Sequence, residues 1–132
     1  MPEPSRLEQE PLRGVHILLA ADDPDSRPLL KTVLEYSGAL VSVAFTASGV
    51  LRALDALRPD IVLCDLVDRV ECEWLIARLR EMPHDARPPA VLLASGHDRR
   101  QAMDSGYGEC LAKPVDPWEL CRVLAAHARR PR

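Results

Sequence analysis

Five polar side chains directly follow apolar segments of the chain, and their chemical types suit a divalent metal ion and a phosphoryl group. Four segments end in this way, in Asp22 and Asp23, in Asp65, in Ser95 and in Lys113. Carboxylate oxygens are the ligands that Mg²⁺ prefers, whereas a hydroxyl and an ammonium group can bind phosphoryl oxygens. In open α/β folds ligands bind at the carboxyl ends of parallel strands, so these residues predict one site at one edge of a sheet.

The elements that would position these side chains alternate between strands and helices. Apolar segments near residues 15–20, 40–45, 61–64, 90–94 and 111–112 predict five strands, and the segments between them carry apolar residues at helical spacing. The last helix has the clearest start, with Asp116 as N-cap and Pro117 at the first helical position. The weakest helical pattern covers residues 99–105. The sequence therefore predicts a five-stranded parallel sheet, doubly wound, with a short or irregular fourth helix.

Length and composition restrict the classes of function. The 132 residues fit one domain, which we predict to span residues 14–130 after a flexible N-terminal tail of residues 1–13. A net charge of -3 and an aromatic content of 4% argue against direct nucleic-acid binding. We find no signal peptide and no segment long enough to span a membrane, so we expect a cytoplasmic protein without membrane contacts. The four cysteines form no CxxC pair and are expected to be buried thiols.

Taken in order, four motifs resemble the receiver domain of bacterial two-component response regulators. They are Asp22-Asp23-Pro24, the segment 60–66 that contains Asp65, Ser95-Gly96, and the segment 113–116 that begins with Lys113-Pro114. The resemblance covers roughly residues 14–128. It implies the flavodoxin-like order of strands and a function in a phosphorelay.

The resemblance also implies a role for each site residue. Asp65 would accept a phosphoryl group from a phosphohistidine on a sensor histidine kinase or a histidine phosphotransfer protein. Asp22, Asp23, Asp65 and the backbone carbonyl of Val67 would hold Mg²⁺ as cofactor. Lys113, aimed into the site by a cis bond to the following proline, would pair with a phosphoryl oxygen. Ser95 would rotate towards the phosphoryl group and so change which target protein binds.

Three features depart from the family pattern. Arg69 and Glu73 occupy positions where the family commonly has proline and glycine, and Cys110 stands where most members have the aromatic residue that moves with the hydroxyl. The segment from Ser95 to Lys113 is shorter than is typical by roughly one helical turn. We therefore expect the loop after Asp65 and the readout of the switch to differ from those of most members.

We predict a stand-alone receiver that is not an enzyme and that changes its contacts with an unknown target protein. Two alternatives remain at the level of the sequence. A degenerate pseudo-receiver would keep the fold and bind a partner without phosphorylation. A phosphatase that forms an aspartyl phosphate would need a second aspartate two residues after the nucleophile, where this chain has Val67.

Overall fold

The strands of the domain are apolar on both faces because helices cover both sides of the sheet. The structure is a computed structural model, and it describes residues 9–96 and 99–129. The strands and helices alternate along the chain in this order: β1 (His16–Ala21), α1 (Ser26–Tyr36), β2 (Leu40–Ala44), α2 (Ala47–Leu57), β3 (Ile61–Asp65), α3 (Arg69–Arg80), β4 (Ala90–Ala94), α4 (Arg99–Ser105), β5 (Glu109–Ala112) and α5 (Pro117–His127).

The five strands form one parallel sheet in the order β2-β1-β3-β4-β5. This is the flavodoxin-like, doubly wound arrangement that the resemblance implied. The seven-residue α4 is short, as predicted. Because β3 lies in the middle of the sheet and all its residues are buried, the last residue of this strand sits between the ends of β1 and β4.

Two hydrophobic clusters, one on each face of the sheet, hold the layers together. Leu18, Val62 and Leu92 belong to the cluster that packs against α2 and α3. Alternate residues of the same strands, such as Leu19 and Leu63, belong to the cluster that packs against α1 and α5. This alternation fixes which face each side chain occupies, since a slip of one residue would move every side chain to the other face.

The domain begins earlier than we predicted. Residues 1–8 lie outside the described part of the chain, but residues 9–13, which we assigned to a flexible tail, are folded. Leu12 is fully buried in the cluster beneath α1 and α5, and its backbone N–H donates to the carbonyl of Ser37 at 2.9 Å. The boundary at residue 14 is therefore wrong, because the tail pattern of prolines and charges hid one apolar anchor. Residues 130–132, which we placed at the end of the domain and beyond it, also lie outside the described part.

Polar residues cap the starts of several helices. Thr46 is the N-cap of α2, and its hydroxyl accepts from the N–H of Gly49 at 3.0 Å. Leu29 lies four residues before Val33 in α1, yet its side chain is 69% exposed. The predicted cap of α5 is correct, since the Asp116 carboxylate accepts from the N–H of Trp118. Within the described ranges, none of the helices combines the length and the apolar character needed to cross a membrane.

Candidate functional site

The carboxyl ends of four strands meet at one edge of the sheet and bring the predicted residues together. Asp65 is the last residue of β3 and is in register with Ala21, the last residue of β1. Asp22 and Asp23 follow Ala21 directly. On the other side of β3, Ser95 follows β4, and Lys113 follows β5, which is paired to β4 up to its last residue.

Asp65 and Lys113 form the centre of this site. The ammonium of Lys113 contacts the Oδ1 atom of Asp65 in an ion pair. The Asp65 side chain is only 2% exposed, whereas that of Lys113 is 34% exposed. The second oxygen of Asp65, Oδ2, is buried and has no hydrogen-bond partner in the described part of the chain. A buried carboxylate oxygen without a partner is energetically costly, so it marks a position where a ligand is expected.

The surroundings of Asp65 make its negative charge unfavourable. Burial raises the pKa of Asp65 above its usual value, and the nearby charges of Asp22 and Asp23 raise it as well. The hydrogen bond from Lys113 and its positive charge act in the opposite direction without cancelling the effect. A cation bound near the free oxygen would therefore stabilise the ionised form of the Asp65 carboxylate.

The two acidic residues after β1 are tied to different parts of the backbone. Asp22 accepts from the N–H of Val67, at 3.2 Å to one carboxylate oxygen and 3.4 Å to the other. Asp23 accepts from the N–H of Asp25 at 3.0 Å, and this bond is the main cause that lowers the pKa of Asp23. Asp22 thus fixes the loop that follows Asp65, and Asp23 stays ionised at the start of α1.

The carboxylate oxygens at this site suit Mg²⁺ only if water or phosphate supplies part of the coordination of the ion. Within residues 9–96 and 99–129, no group of three or more His, Cys, Asp or Glu side chains is arranged to enclose a metal. Asp65 nevertheless lies close enough to Asp22 and Asp23 for their charges to raise its pKa. Mg²⁺ keeps several waters and commonly binds through one or two carboxylates, so these oxygen donors suit it. The role of the Val67 carbonyl stays a prediction.

Ser95 and Lys113 line two hollows beside Asp65. One is a groove of about 590 Å³ between α1 and the start of α5, which Asp65 also lines, with apolar walls that include Leu30 and Val115. Gly96, which follows Ser95, has a φ of +57°, and a Cβ added there would meet nothing within 4 Å. The glycine is therefore explained by its left-handed backbone rather than by lack of space.

The second hollow contains a residue to which the sequence analysis gave no role. It is a cavity of about 170 Å³ between the start of α3 and the end of β4, and Arg69 lines it together with Ser95 and Lys113. The sequence identified Arg69 only as a departure from a family pattern. Its position four residues after Asp65, at the start of a helix, was the available signal.

The structure also shows what occupies the region of the missing aromatic residue. Cys110 lies in β5. Its thiol is free and buried, as predicted, and the other three cysteines are free and buried as well. The nearby Tyr107 is buried too, and its hydroxyl donates to the backbone carbonyl of Cys72 in α3 at 2.7 Å. This bond joins the end of α4 to α3. The bond between Lys113 and Pro114 is cis, as the resemblance implied.

Comparisons with known proteins agree with this geometry. A family model described as the response regulator receiver domain matches residues 17–125. The chain is 39% identical over 117 residues to a relative from Leptolyngbya boryana, the "Uncharacterized 14.6 kDa protein in sodA1 3'region", with 86% of this chain and 89% of that protein covered. It spans about half the length of several regulators of transcription that it also matches.

Two solved structures share the fold. The receiver domain of the sensor histidine kinase PA1611 from Pseudomonas aeruginosa, with a magnesium ion coordinated in its active-site cleft, has a TM-score of 0.76 and 24% identity, over 86% of this chain and 97% of that chain. A chain of the Saccharomyces cerevisiae complex between the histidine phosphotransfer protein Ypd1 and the receiver domain of Ssk1 has a TM-score of 0.73 and 16% identity, over 86% and 88%. At these identities the likeness concerns the fold alone.

Proposed function

The chain belongs to the response regulator receiver family, and from this premise we propose that it accepts a phosphoryl group on Asp65 and signals by changing its protein contacts. The observation that carries the proposal is the buried Asp65 carboxylate, which has Lys113 on one oxygen and, among the described residues, no partner on the other. An aspartate in this setting can attack a phosphoryl group once nearby cations reduce the repulsion between the two anions.

Each neighbouring group has a part in that transfer. Lys113 compensates negative charge on a phosphoryl oxygen, and the Ser95 hydroxyl, which lines the same hollows, can donate a hydrogen bond to it. Mg²⁺ bound by Asp22, Asp23, Asp65 and the Val67 carbonyl would supply further positive charge to the phosphoryl oxygens. The hydrogen bond between Asp22 and the Val67 N–H supports this assignment, since it holds the loop close to the acids.

The phosphodonor would be a histidine kinase or a histidine phosphotransfer protein. A phosphohistidine carried on a helix has to reach Asp65, and the apolar groove between α1 and the start of α5 opens directly onto that residue. The exposed Leu29 on the rim of α1 would contact the donor. The complex of Ypd1 with the Ssk1 receiver supports this class of partner. We further propose a bacterial, cytoplasmic, stand-alone receiver without direct contact with nucleic acid or membranes, in keeping with the relative of similar size from Leptolyngbya boryana.

The test is phosphorylation by a small donor, acetyl phosphate with Mg²⁺, followed by intact-mass measurement. Wild-type protein should gain the mass of one phosphoryl group, and Asp65→Asn should gain none. Asp68→Asn is the matched control, because it also removes a carboxylate near the site but keeps a side chain that caps α3 well. Labelling of the Asp65→Asn variant would remove Asp65 from this role.

One alternative has specific support. The lack of a three-residue acidic cluster within the described ranges, together with Cys110 at the usual aromatic position, favours a pseudo-receiver that binds its partner without phosphorylation. A wild-type protein that gains no mass under these conditions would favour that alternative. The phosphatase alternative has no such support, because the apolar Val67 at the position of the general acid cannot donate a proton. Steady release of phosphate from phosphomonoesters would revive it.

A further inference from the structure

Arg69 differs from the other two arginines of α3, Arg78 and Arg80, because its guanidinium has no partner among the described residues. It is the first residue of the helix, its side chain is exposed, and within the described residues it makes no hydrogen bond, ion pair or ring contact. Arg78 in the same helix donates to Glu81 at 2.8 Å and lies over the ring of Trp74. The guanidinium of Arg69 is therefore available to a ligand.

The cavity that Arg69 lines lies beside the groove that Asp65 lines. Ser95 and Lys113 form part of its wall, and the same two residues line the groove that contains Asp65. Burial raises the pKa of the Cys110 thiol on β5, and the positive charge of Arg69 is among the groups that oppose this rise. Arg69 is therefore close enough to β5 for its charge to affect a residue of that strand. The side chain thus faces a space of about 170 Å³ that two phosphoryl-binding groups share with it.

The charges around a phosphorylated Asp65 leave room for one more cation. A phosphoryl group carries about -1.5 to -2 charges at neutral pH, and Asp22 and Asp23 add one negative charge each. Mg²⁺ and Lys113 would together supply three positive charges, so about half to one negative charge would remain uncompensated. An arginine suits this position, because its planar guanidinium can donate two parallel hydrogen bonds to phosphate oxygens and stays protonated.

We propose that Arg69 binds the phosphoryl group from the α3 side of the cavity and acts, beside Lys113, as a second cation of the transfer site. This inference rests on the proposed function. During transfer the bond from phosphorus to the donor breaks, the leaving group departs with the electron pair, and the new bond forms to an Asp65 oxygen. Arg69 keeps its proton throughout and stabilises the charge that develops on the phosphoryl oxygens.

The experiment measures the second-order rate of phosphorylation by acetyl phosphate with Mg²⁺. Arg69→Ala should lower this rate roughly tenfold, the effect of losing one partly exposed hydrogen bond to a charged group. Arg69→Lys, which keeps the charge, should stay within about threefold of wild type. Arg78→Ala is the matched control: it removes one positive charge from the same helix, away from the cavity, and should stay within about twofold.

Salt dependence and a second variant separate this role from a structural one. The difference in phosphorylation rate between wild type and Arg69→Ala should become smaller as ionic strength rises, because salt screens an exposed charge. Arg69→Pro removes the guanidinium while placing proline at the first helical position, where it is favoured, so it should reproduce the alanine result with an intact helix.

Two outcomes would overturn the inference, and they differ. Equal rates for wild type, Arg69→Ala and Arg69→Pro would refute the role of Arg69 and leave phosphorylation of Asp65 standing. A wild-type protein that takes up no phosphoryl group would refute both proposals together.

Discussion

Asp60 and Asp65 stand at opposite ends of the same short strand and have opposite roles. Asp60 directly precedes β3, where its carboxylate accepts from the backbone N–H of His16 at 2.8 Å, and its own N–H donates to the His16 carbonyl at 2.8 Å. Asp65 ends β3, where one carboxylate oxygen has no partner in the described chain. One aspartate joins two strands, while the other is left ready for a ligand.

Arginines near the amino ends of the strands are also used to hold the backbone. Arg87 donates to the carbonyls of Arg80 and Met82 at 2.7 and 2.9 Å, and Arg129 donates to the carbonyl of Asp85 at 2.8 Å. At the carboxyl edge the side-chain ammonium of Lys113 and the guanidinium of Arg69 make no bond to a backbone carbonyl within the described residues. The comparison indicates that substitutions at the amino edge should cost stability, and substitutions at the carboxyl edge should cost phosphoryl transfer.

The largest effect should come from the carboxyl edge. Lys113→Ala should slow phosphorylation by acetyl phosphate roughly 100-fold, a typical loss when a group that stabilises transition-state charge is removed. Because Lys113 lowers the pKa of Asp65, its loss should also move the pH at which phosphorylation fails on acidification to a higher value. Rates measured across pH would check both effects. Unchanged rates would contradict the division between the two edges.

The amino edge should show the reverse. Asp60→Ala should lower the free energy of unfolding by about 2 kcal/mol, because the N–H of His16 is left without its acceptor in a partly buried position. Urea denaturation would measure the loss, with Asp60→Asn as a control that keeps an acceptor oxygen. Folded Asp60→Ala should still be phosphorylated at the wild-type rate. Slow phosphorylation under conditions where this variant is fully folded would contradict the contrast between the two edges.

A smaller effect should appear when Asp65 itself is neutralised. Asp65→Asn should raise the free energy of unfolding at neutral pH by about 1 kcal/mol, as is common when a strained functional group is removed. Folding raises the pKa of Asp65 above 3.8, so the ionised carboxylate lowers the free energy of unfolding. This destabilisation is complete above the folded-state pKa and is absent below the unfolded-state pKa.

The gain from Asp65→Asn should therefore disappear as the pH falls below about 3.8. Urea denaturation of both proteins at several pH values would check this. A gain that did not change with pH would mean that the charge of Asp65 is not the source of the cost.

How much the sequence could predict depended on whether a feature is local. The order of strands and helices, the polar residue at each strand end and the Asp116 cap follow from patterns within a few residues, and all were predicted. The bonds of Asp60 to His16 and of Arg129 to Asp85 join residues 44 positions apart in the chain, so no local sequence pattern predicts them. Arg69 and Tyr107 were overlooked in the same way, because a cavity or a buried hydroxyl exists only after the helices have packed.

The fully buried Leu12 affects how the chain can be shortened. The receiver family model begins to match at residue 17, so a fragment cut to those limits would lose Leu12 and Val15. It would leave a hole beneath two helices and the carbonyl of Ser37 without its donor. If such a fragment failed to fold, the failure would reflect the missing anchor and would say nothing about phosphate chemistry at the far edge of the sheet.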